Sequence, residues 1–180
     1  MAVKELWLTR HGESLANVVA TAAERDGLDR IPVEFRDADV PLSATGREQA
    51  RALAGWVAEH RSALDVFWVS PYLRARETLA LALGESGAPH TVIVDERLRD
   101  RELGILDLLT RRGVERHHPE EAERRRHLGK YYHRPPGGES WADVSLRLRS
   151  FLRDATQVPG DTAMVVAHDA VVMVILSLLL

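Results

Sequence analysis

The chain has 180 residues and a mass of 20.1 kDa, which fits one domain around a single hydrophobic core. Hydrophobic residues make up 45% of it and charged residues 28%, which excludes an intrinsically disordered chain. The formal net charge of −3 argues against a general nucleic-acid binder, and the lack of cysteine excludes disulfides, thiolate metal sites and cysteine nucleophiles.

The predicted strands are four apolar runs spaced along the chain. Their residues are almost continuously apolar instead of alternating, which is typical of strands buried on both faces of a parallel sheet. The four runs are residues 6–9, 66–69, 91–94 and 162–167.

Helical patterns fill most of the intervals between these runs. The predicted helices run from Ser43 or Thr45 to about residue 60, from Pro71 to about residue 83, from residue 139 or 140 onward, and from His168 onward. Thr45 and Glu48 have the spacing of a capping box. The alternation predicts an α/β fold: a layered α/β/α single domain over residues 1–180 with a mostly parallel central sheet.

Two polar stretches interrupt this alternation. Residues 22–41 are expected to form a loop. Residues 95–138 are dense in charge of both signs and end in the turn signal Pro135-Pro136-Gly137-Gly138. A solvated excursion explains such a segment, and a cap over the carboxyl ends of the strands is the alternative.

The two ends of the chain bear on its location. Residues 1–8 carry no signal-peptide pattern, and the apolar run at residues 170–180 is too short to span a bilayer. We therefore expect a cytoplasmic protein with no membrane partner. Two explanations for the abrupt apolar end stay open: the sequence is shortened there, or a partner such as a second copy covers that face in a homodimer.

Polar residues follow each predicted strand, at the position where ligands gather in open α/β sheets. They are Arg10 and His11 after the first run, Ser70 and Pro71 after the second with Arg74 one turn further on, the charged group 97–102 after the third, and His168 and Asp169 after the fourth. The other six histidines lie in polar segments, where a surface position is expected.

Two arginines and two histidines at strand ends indicate a phosphoryl site. Guanidinium groups bind a phosphate dianion through paired donors. Gly12 permits close approach of the backbone, and a helix beginning there would point its N–H groups at the anion. A neutral imidazole is a competent nucleophile toward phosphorus at pH 7, although a single histidine at a strand end is more often a structural group.

Five segments in order carry a family resemblance. The first is Leu8-Thr9-Arg10-His11-Gly12-Glu13-Ser14, followed by Asn17. The others are residues 70–78, 98–104, 138–140 and 166–168, so the five span most of the chain. Together they resemble the motifs of the histidine phosphatase superfamily, which includes the cofactor-dependent phosphoglycerate mutases.

The resemblance implies a covalent mechanism. His11 would attack a phosphomonoester and become phosphohistidine, which water then hydrolyses. Arg10, Arg74 and His168 would line the phosphate pocket and stabilise charge on the transferring oxygens. Further substrate contacts are expected from Ser14, Asn17, Arg134 and Asp169.

Asp100 is the expected proton donor, at a position where most members of the family carry glutamate. Two alternatives stay open. Glu102 would point the same way as Asp100 in an extended segment, and Asp169 stands where the acid phosphatase branch has its donor. The donor must hold a proton when the leaving oxygen departs, so we expect burial near other acids to raise its pKa.

The sequence therefore predicts a metal-independent phosphomonoester phosphatase that acts on a small phosphorylated metabolite without a cofactor. A metal site on His11 and His168 is disfavoured, because the chain has no H-E-x-x-H motif and Arg10 would repel a cation. A phosphoglycerate mutase is the alternative within enzymes. A catalytically silent protein that binds a phosphorylated ligand is the alternative outside them.

Overall fold

The computed structural model describes residues 3–84 and 91–180. The strands in this part of the chain are β1 (Glu5–Arg10), β2 (Val66–Val69), β3 (Thr91–Val94) and β4 (Thr162–Ala167). The α-helices are α1 (Leu15–Arg25), α2 (Ala44–His60), α3 (Leu73–Leu83), α4 (Arg111–His117), α5 (Pro119–Tyr132), α6 (Trp141–Ala155) and α7 (Asp169–Leu179).

The strands form one sheet in the order β1-β4-β2-β3, and every pairing is parallel. Val165 of β4 lies between Leu8 of β1 and Trp68 of β2 in the register. The predicted α/β fold and parallel sheet are confirmed. Three strands have the predicted bounds, and β1 extends one residue further at each end.

Helices cover both faces of the sheet, because successive residues of a buried strand point to opposite sides. The core on one face joins β2 and β4 to α6 and α7, and includes Trp68, Val165, Phe151 and Ile175. The core on the other face joins the same strands to α2 and α3, and includes Phe67, Met164, Val57 and Leu79. The layered α/β/α arrangement is the consequence.

Capping side chains set where the helices begin. Ser43 caps α2 by accepting the N–H of Gly46 at 3.0 Å, so the capping box predicted from Thr45 and Glu48 is wrong. Ser140 caps α6 in a capping box, as the predicted start at residue 139 or 140 requires. Helix α3 begins two residues later than predicted.

The first polar stretch is partly helical. Helix α1 continues to Arg25, because Ala22 and the buried Ala23 are good helix formers. Residues 37–39 form a short 3-10 turn. The loop predicted over residues 22–41 is therefore wrong at its start, where local propensity favours the helix.

The charged excursion folds into two helices, α4 and α5. Pro119 and two glutamates in the first turn favour the start of α5. Just beyond α5, His133 is buried, with its Nε2 atom 2.9 Å from Oε2 of Glu121. The surface position predicted for His133 is therefore wrong. The partner that allows its burial, Glu121, lies 12 residues away, so the local sequence does not indicate it. His90 lies outside the described residues.

Helix α7 packs one side on the sheet and exposes the other. Val174 and Ile175 are buried, whereas Met173, Leu176 and Leu179 are exposed. The partner expected on this exposed side stays a prediction. Within the described residues, no helix combines the length and the apolar composition needed to cross a bilayer.

Candidate active site

The carboxyl ends of β1 and β4 bring two histidines together. Arg10 pairs with Ala167 in the register, and the N–H of His11 donates to the carbonyl of Ala167 at 2.9 Å. His168 follows directly on β4, and the two imidazole ring centroids are 5.1 Å apart. The register of two parallel strands thus places His11 beside His168.

His11 is buried, and the backbone holds one of its ring nitrogens. Its Nδ1 lies 2.6 Å from the carbonyl oxygen of Gly12. A carbonyl only accepts, so Nδ1 carries the proton and Nε2 keeps its lone pair. Burial lowers the pKa of His11 to about 4, against the effect of that hydrogen bond, and electrostatic interactions with His168, Arg74 and Arg10 lower it further. At pH 7, His11 is therefore a neutral imidazole with an unprotonated Nε2.

Close packing holds the His11 loop against α2 and α3. The N–H of Gly12 donates to Thr78 Oγ1 at 3.0 Å, and that hydroxyl donates to the carbonyl of Arg74 at 2.7 Å. A Cβ on Gly12 would lie 2.6 Å from the carbonyl oxygen of Gly46, too close for any side chain. The backbone at Gly12 thus packs closely against α2, whereas the sequence predicted that it would approach a ligand.

Arg74 is buried in the first turn of α3, where two acidic residues share its guanidinium. One terminal nitrogen donates to the carbonyl oxygen and to Oδ1 of Asp37, at 2.6 and 2.9 Å. The other donates to Oδ2 of Asp100 at 3.2 Å. The guanidinium carbon lies 5.0 Å from the centre of the Tyr72 ring. These contacts hold a permanent positive charge in one place beside the histidines.

His168 has no exposed surface. Its Nε2 lies 2.8 Å from the hydroxyl oxygen of Ser70. Its Nδ1 lies 3.3 Å from Oδ2 of Asp100, within ion-pair distance but outside hydrogen-bond geometry. The ring of Tyr72 packs against it edge-on, with centroids 5.1 Å apart. His168 therefore directs Nε2 into the protein and Nδ1 toward the acid that also contacts Arg74.

Asp100 is ionised in these surroundings. Burial opposes its ionisation, but the interactions with His168, with the N–H of Arg101 and with Arg74 outweigh burial. Together they hold the pKa of Asp100 well below its usual range. The raised pKa expected for the proton donor is therefore wrong for Asp100, because its neighbours are the imidazole of His168, the N–H of Arg101 and the guanidinium of Arg74 instead of other acids.

The three candidate proton donors, Asp100, Glu102 and Asp169, line one cavity of about 350 Å³. Other residues of the charged excursion line the same cavity, so the excursion lies over the strand ends. Glu102 is exposed and accepts a hydrogen bond from the Tyr72 hydroxyl at 3.2 Å. Asp169 is exposed at the first residue of α7. Across residues 3–84 and 91–180, no group of three or more histidine or acidic side chains is placed to hold a metal ion.

Two side chains clamp the segment that carries Asp100 and Glu102. Arg147 of α6 donates to the carbonyl oxygens of Arg97 and Asp100 and, from Nε, to Oε1 of Glu139 at 2.9 Å. Glu139 in turn accepts the N–H of Glu102 at 3.2 Å. Both clamp residues are largely buried, so they set the position of the acid segment through its backbone.

Four of the predicted contact residues serve other contacts or lie at the edge of the site. Ser14 and Asn17 form the capping box of α1, each bonding the backbone N–H of the other. Arg134 is exposed and paired with Asp143 of α6. Arg10 is exposed at the end of β1 and acts on His11 through its charge. The N–H groups of the first turn of α1 are therefore partly used by the protein itself.

Three residues were missed as parts of the site: Asp37, Ser70 and Thr78. Ser70 follows β2 directly, which is the same positional signal that pointed to His11, but the sequence analysis assigns it no role. Asp37 and Thr78 carry no such signal, because their partners, Arg74 and the N–H of Gly12, lie far away in sequence.

The chain belongs to the histidine phosphatase superfamily (branch 1), whose family model matches residues 6–180. This finding confirms the resemblance carried by the five segments.

Three similar proteins give the range of that family. Probable phosphoglycerate mutase GpmB of Enterobacter sp. (strain 638) is 32% identical over 169 residues, covering 91% of this chain and 69% of that protein. Fructose-2,6-bisphosphatase of Saccharomyces cerevisiae is 27% identical over 169 residues, covering 93% of this chain. The chain spans 32% of the length of that bisphosphatase. The solved structure of mycobacterial glucosyl-3-phosphoglycerate phosphatase with VO3 has a TM-score of 0.72 and 28% identity, covering 99% of this chain and 82% of that one.

Proposed function

We propose that the protein is a metal-independent phosphomonoester phosphatase that works through a phosphohistidine on His11. The observation that carries this proposal is the unprotonated Nε2 of a buried, neutral His11, beside His168 and the fixed charge of Arg74. A positioned nucleophile and fixed donors for the transferring oxygens are the main requirements of phosphoryl transfer.

The reaction has two steps. In the first, the Nε2 lone pair of His11 forms a bond to phosphorus while the ester P–O bond breaks, and the leaving oxygen takes a proton from an acid. In the second, water attacks the phosphohistidine, the N–P bond breaks, and a proton of that water returns to the acid. The sum is ester and water in, alcohol and phosphate out, with His11 regenerated.

We assign the acid to Asp100, because it contacts Arg74 and His168, whereas Glu102 and Asp169 are exposed on the same cavity. Asp100 is ionised beside Arg74 and His168. A phosphoryl dianion bound there adds negative charge and raises its pKa. A substrate that arrives as the monoanion, below its second pKa of about 6, also brings the proton needed. Turnover is therefore expected to be favoured at acidic pH, down to about pH 4, where His11 becomes protonated.

The cavity beside the acids supports a small substrate. Its volume of about 350 Å³ is at the lower end of the range of small-molecule sites. We therefore propose a small phosphorylated metabolite as the substrate class.

A phosphoglycerate mutase is the second candidate, because one relative at 32% identity carries that name. The two reactions share the phosphohistidine and differ in what removes the phosphoryl group. Supplying 3-phosphoglycerate with 2,3-bisphosphoglycerate separates them: a mutase forms 2-phosphoglycerate, whereas a phosphatase releases inorganic phosphate.

Hydrolysis of para-nitrophenyl phosphate in the presence of EDTA, between pH 4 and pH 8, tests the phosphatase. We expect turnover by the wild-type protein, an acid-labile phosphoryl-protein on rapid quenching, and neither in His11→Ala. His127→Ala, at an exposed histidine of α5, is the matched control and should retain full activity.

Two results would overturn the proposal. One is equal turnover in His11→Ala and in the wild-type protein. The other is saturable binding of vanadate with no turnover of any phosphomonoester in a substrate panel, which would favour a silent phospho-ligand-binding protein.

A further inference from the structure

Ser70 lies at the end of β2, directly behind His168. Its N–H donates to the carbonyl of Val166 at 3.0 Å, which continues the ladder between β2 and β4. The residue has no exposed surface. Its hydroxyl oxygen accepts the N–H of Tyr72 at 3.3 Å and lies 2.8 Å from Nε2 of His168. The strand pairing therefore fixes this hydroxyl against the inner nitrogen of His168.

The hydrogen atoms of this contact can be assigned. A hydroxyl has one hydrogen to donate and two lone pairs, and the N–H of Tyr72 uses one of the lone pairs. Because Ser70 is shut off from water, its hydrogen needs an acceptor inside the protein. Among the described residues, the other hydrogen-bond partner of this hydroxyl is Nε2 of His168. Nε2 must therefore carry a lone pair, which places the ring proton on Nδ1.

The other side of the ring agrees with this assignment. Nδ1 faces Oδ2 of Asp100 at 3.3 Å, and an ionised carboxylate only accepts hydrogen bonds. A proton on Nε2 would leave the Ser70 hydrogen without an acceptor and would set two lone pairs against each other at Nδ1. Leaving a buried donor unpaired in this way is unfavourable.

We propose that Ser70 is a positioning residue that keeps the proton of His168 on Nδ1, so that this N–H can donate to a phosphoryl oxygen. The donation to a phosphoryl oxygen rests on the proposed function, whereas the tautomer does not. The same tautomer occurs in both histidines of the site by different means. For His11 the carbonyl of Gly12 holds the Nδ1 proton and leaves Nε2 as the nucleophile. For His168 the Ser70 hydroxyl occupies Nε2 and leaves Nδ1–H as a donor.

Without this hydroxyl, the His168 ring can carry its proton on either nitrogen. The tautomer protonated on Nε2 presents a lone pair to the anion and repels it. We therefore expect Ser70→Ala to lower kcat about tenfold or more, with a smaller change in KM, because a donor to the developing charge is lost.

Nitrogen NMR of protein labelled with ¹⁵N-histidine tests the tautomer directly. The His168 signals are identified by their loss in His168→Gln. In the wild-type protein we expect a protonated, pyrrole-type Nδ1 and an unprotonated, pyridine-type Nε2. In Ser70→Ala we expect a mixture of tautomers, together with the fall in kcat. Ser145→Ala removes another buried hydroxyl, on α6, and should change neither measurement.

The outcomes separate this inference from the proposed function. A wild-type spectrum with the proton on Nε2, or one unchanged in Ser70→Ala, overturns the role of Ser70 even if the protein is an active phosphatase. If the expected spectrum is found in a protein without phosphatase activity, the assigned tautomer of His168 is confirmed and the catalytic role of Ser70 is rejected. If Ser70→Ala fails to fold, the wild-type spectrum alone decides the tautomer.

Discussion

The histidine cluster (His11, Ser70, Arg74 and His168) and the acid segment (residues 97–102) face each other across the site but are held differently. Three members of the cluster follow parallel strands directly: His11 follows the edge strand β1, and Ser70 and His168 follow the buried central strands β2 and β4. Arg74 stands in the first turn of the helix after β2. The acid segment follows the opposite edge strand, β3, and side-chain hydrogen bonds from Glu139 and Arg147 hold its backbone.

This difference separates two parts of the chemistry. The pairing of the strands fixes the positions of the cluster residues relative to one another. The cluster is therefore suited to the proposed binding and attack of the phosphoryl group. The acid segment is positioned by a local clamp, so it can be displaced without disturbing the sheet. Changes in the cluster should therefore affect every substrate, whereas changes in the acid segment should depend on the leaving group.

The largest effect is expected from Arg74→Lys. An ammonium group keeps the charge but loses the planar fork that reaches two partners at once. We expect kcat/KM to fall about a hundredfold or more, equally for aryl and alkyl phosphates. Arg76→Lys, at an exposed arginine two residues along α3, is the control and should keep its activity. A loss confined to one class of leaving group would contradict the proposed role of Arg74.

A smaller and more selective effect is expected from Asp100→Asn. An alkyl leaving group is strongly basic and needs a proton, whereas para-nitrophenolate leaves readily without one. We expect kcat to fall about a hundredfold with an alkyl phosphate and less than about tenfold with para-nitrophenyl phosphate. Parallel kinetics of Glu102→Gln and Asp169→Asn complete the comparison. If either of these shows the selective loss instead, the donor is assigned to the wrong carboxyl.

The smallest effect is expected from Glu139→Gln, which loosens the clamp without touching the histidine cluster. The amide keeps the shape of the side chain but gives up the charge that binds Arg147 and Arg99. We expect kcat for an alkyl phosphate to fall about tenfold, because the acid is less well placed. Inhibition by vanadate should change less than about twofold. Glu123→Gln, at an exposed glutamate of α5, is the matched control. Weaker vanadate binding in Glu139→Gln would mean that the two regions are coupled.

The sequence predicts most of the fold. Apolar runs at 66–69, 91–94 and 162–167 become strands with those bounds. The predicted burial on both faces is confirmed for β2 and β4, but it is wrong for the edge strand β3, where Val92 and Val94 are exposed. The helices α4 and α5 were not predicted. Their residues are mostly charged, so apolar periodicity, the main signal for a helix, is weak there.

The site is predicted in part. His11 and His168 are found because each follows an apolar run, and parallel strands end at one edge of the sheet. The capping box of Ser14 and Asn17, in contrast, was interpreted as substrate contact, since both residues lie in the same motif as His11. Position in a motif does not separate a residue that holds the backbone from one that faces a ligand.

The sequence alone determined that His11, Arg74 and His168 lie at the carboxyl ends of the strands, because their positions just after apolar runs are local properties of the chain. The tertiary structure decided which nitrogen of each histidine carries a proton and that Asp100 is ionised. It also decided that Arg74 pairs with Asp37 and that His133 is buried. Protonation and pairing depend on burial and on charges that arrive from distant segments, so only the folded chain defines them.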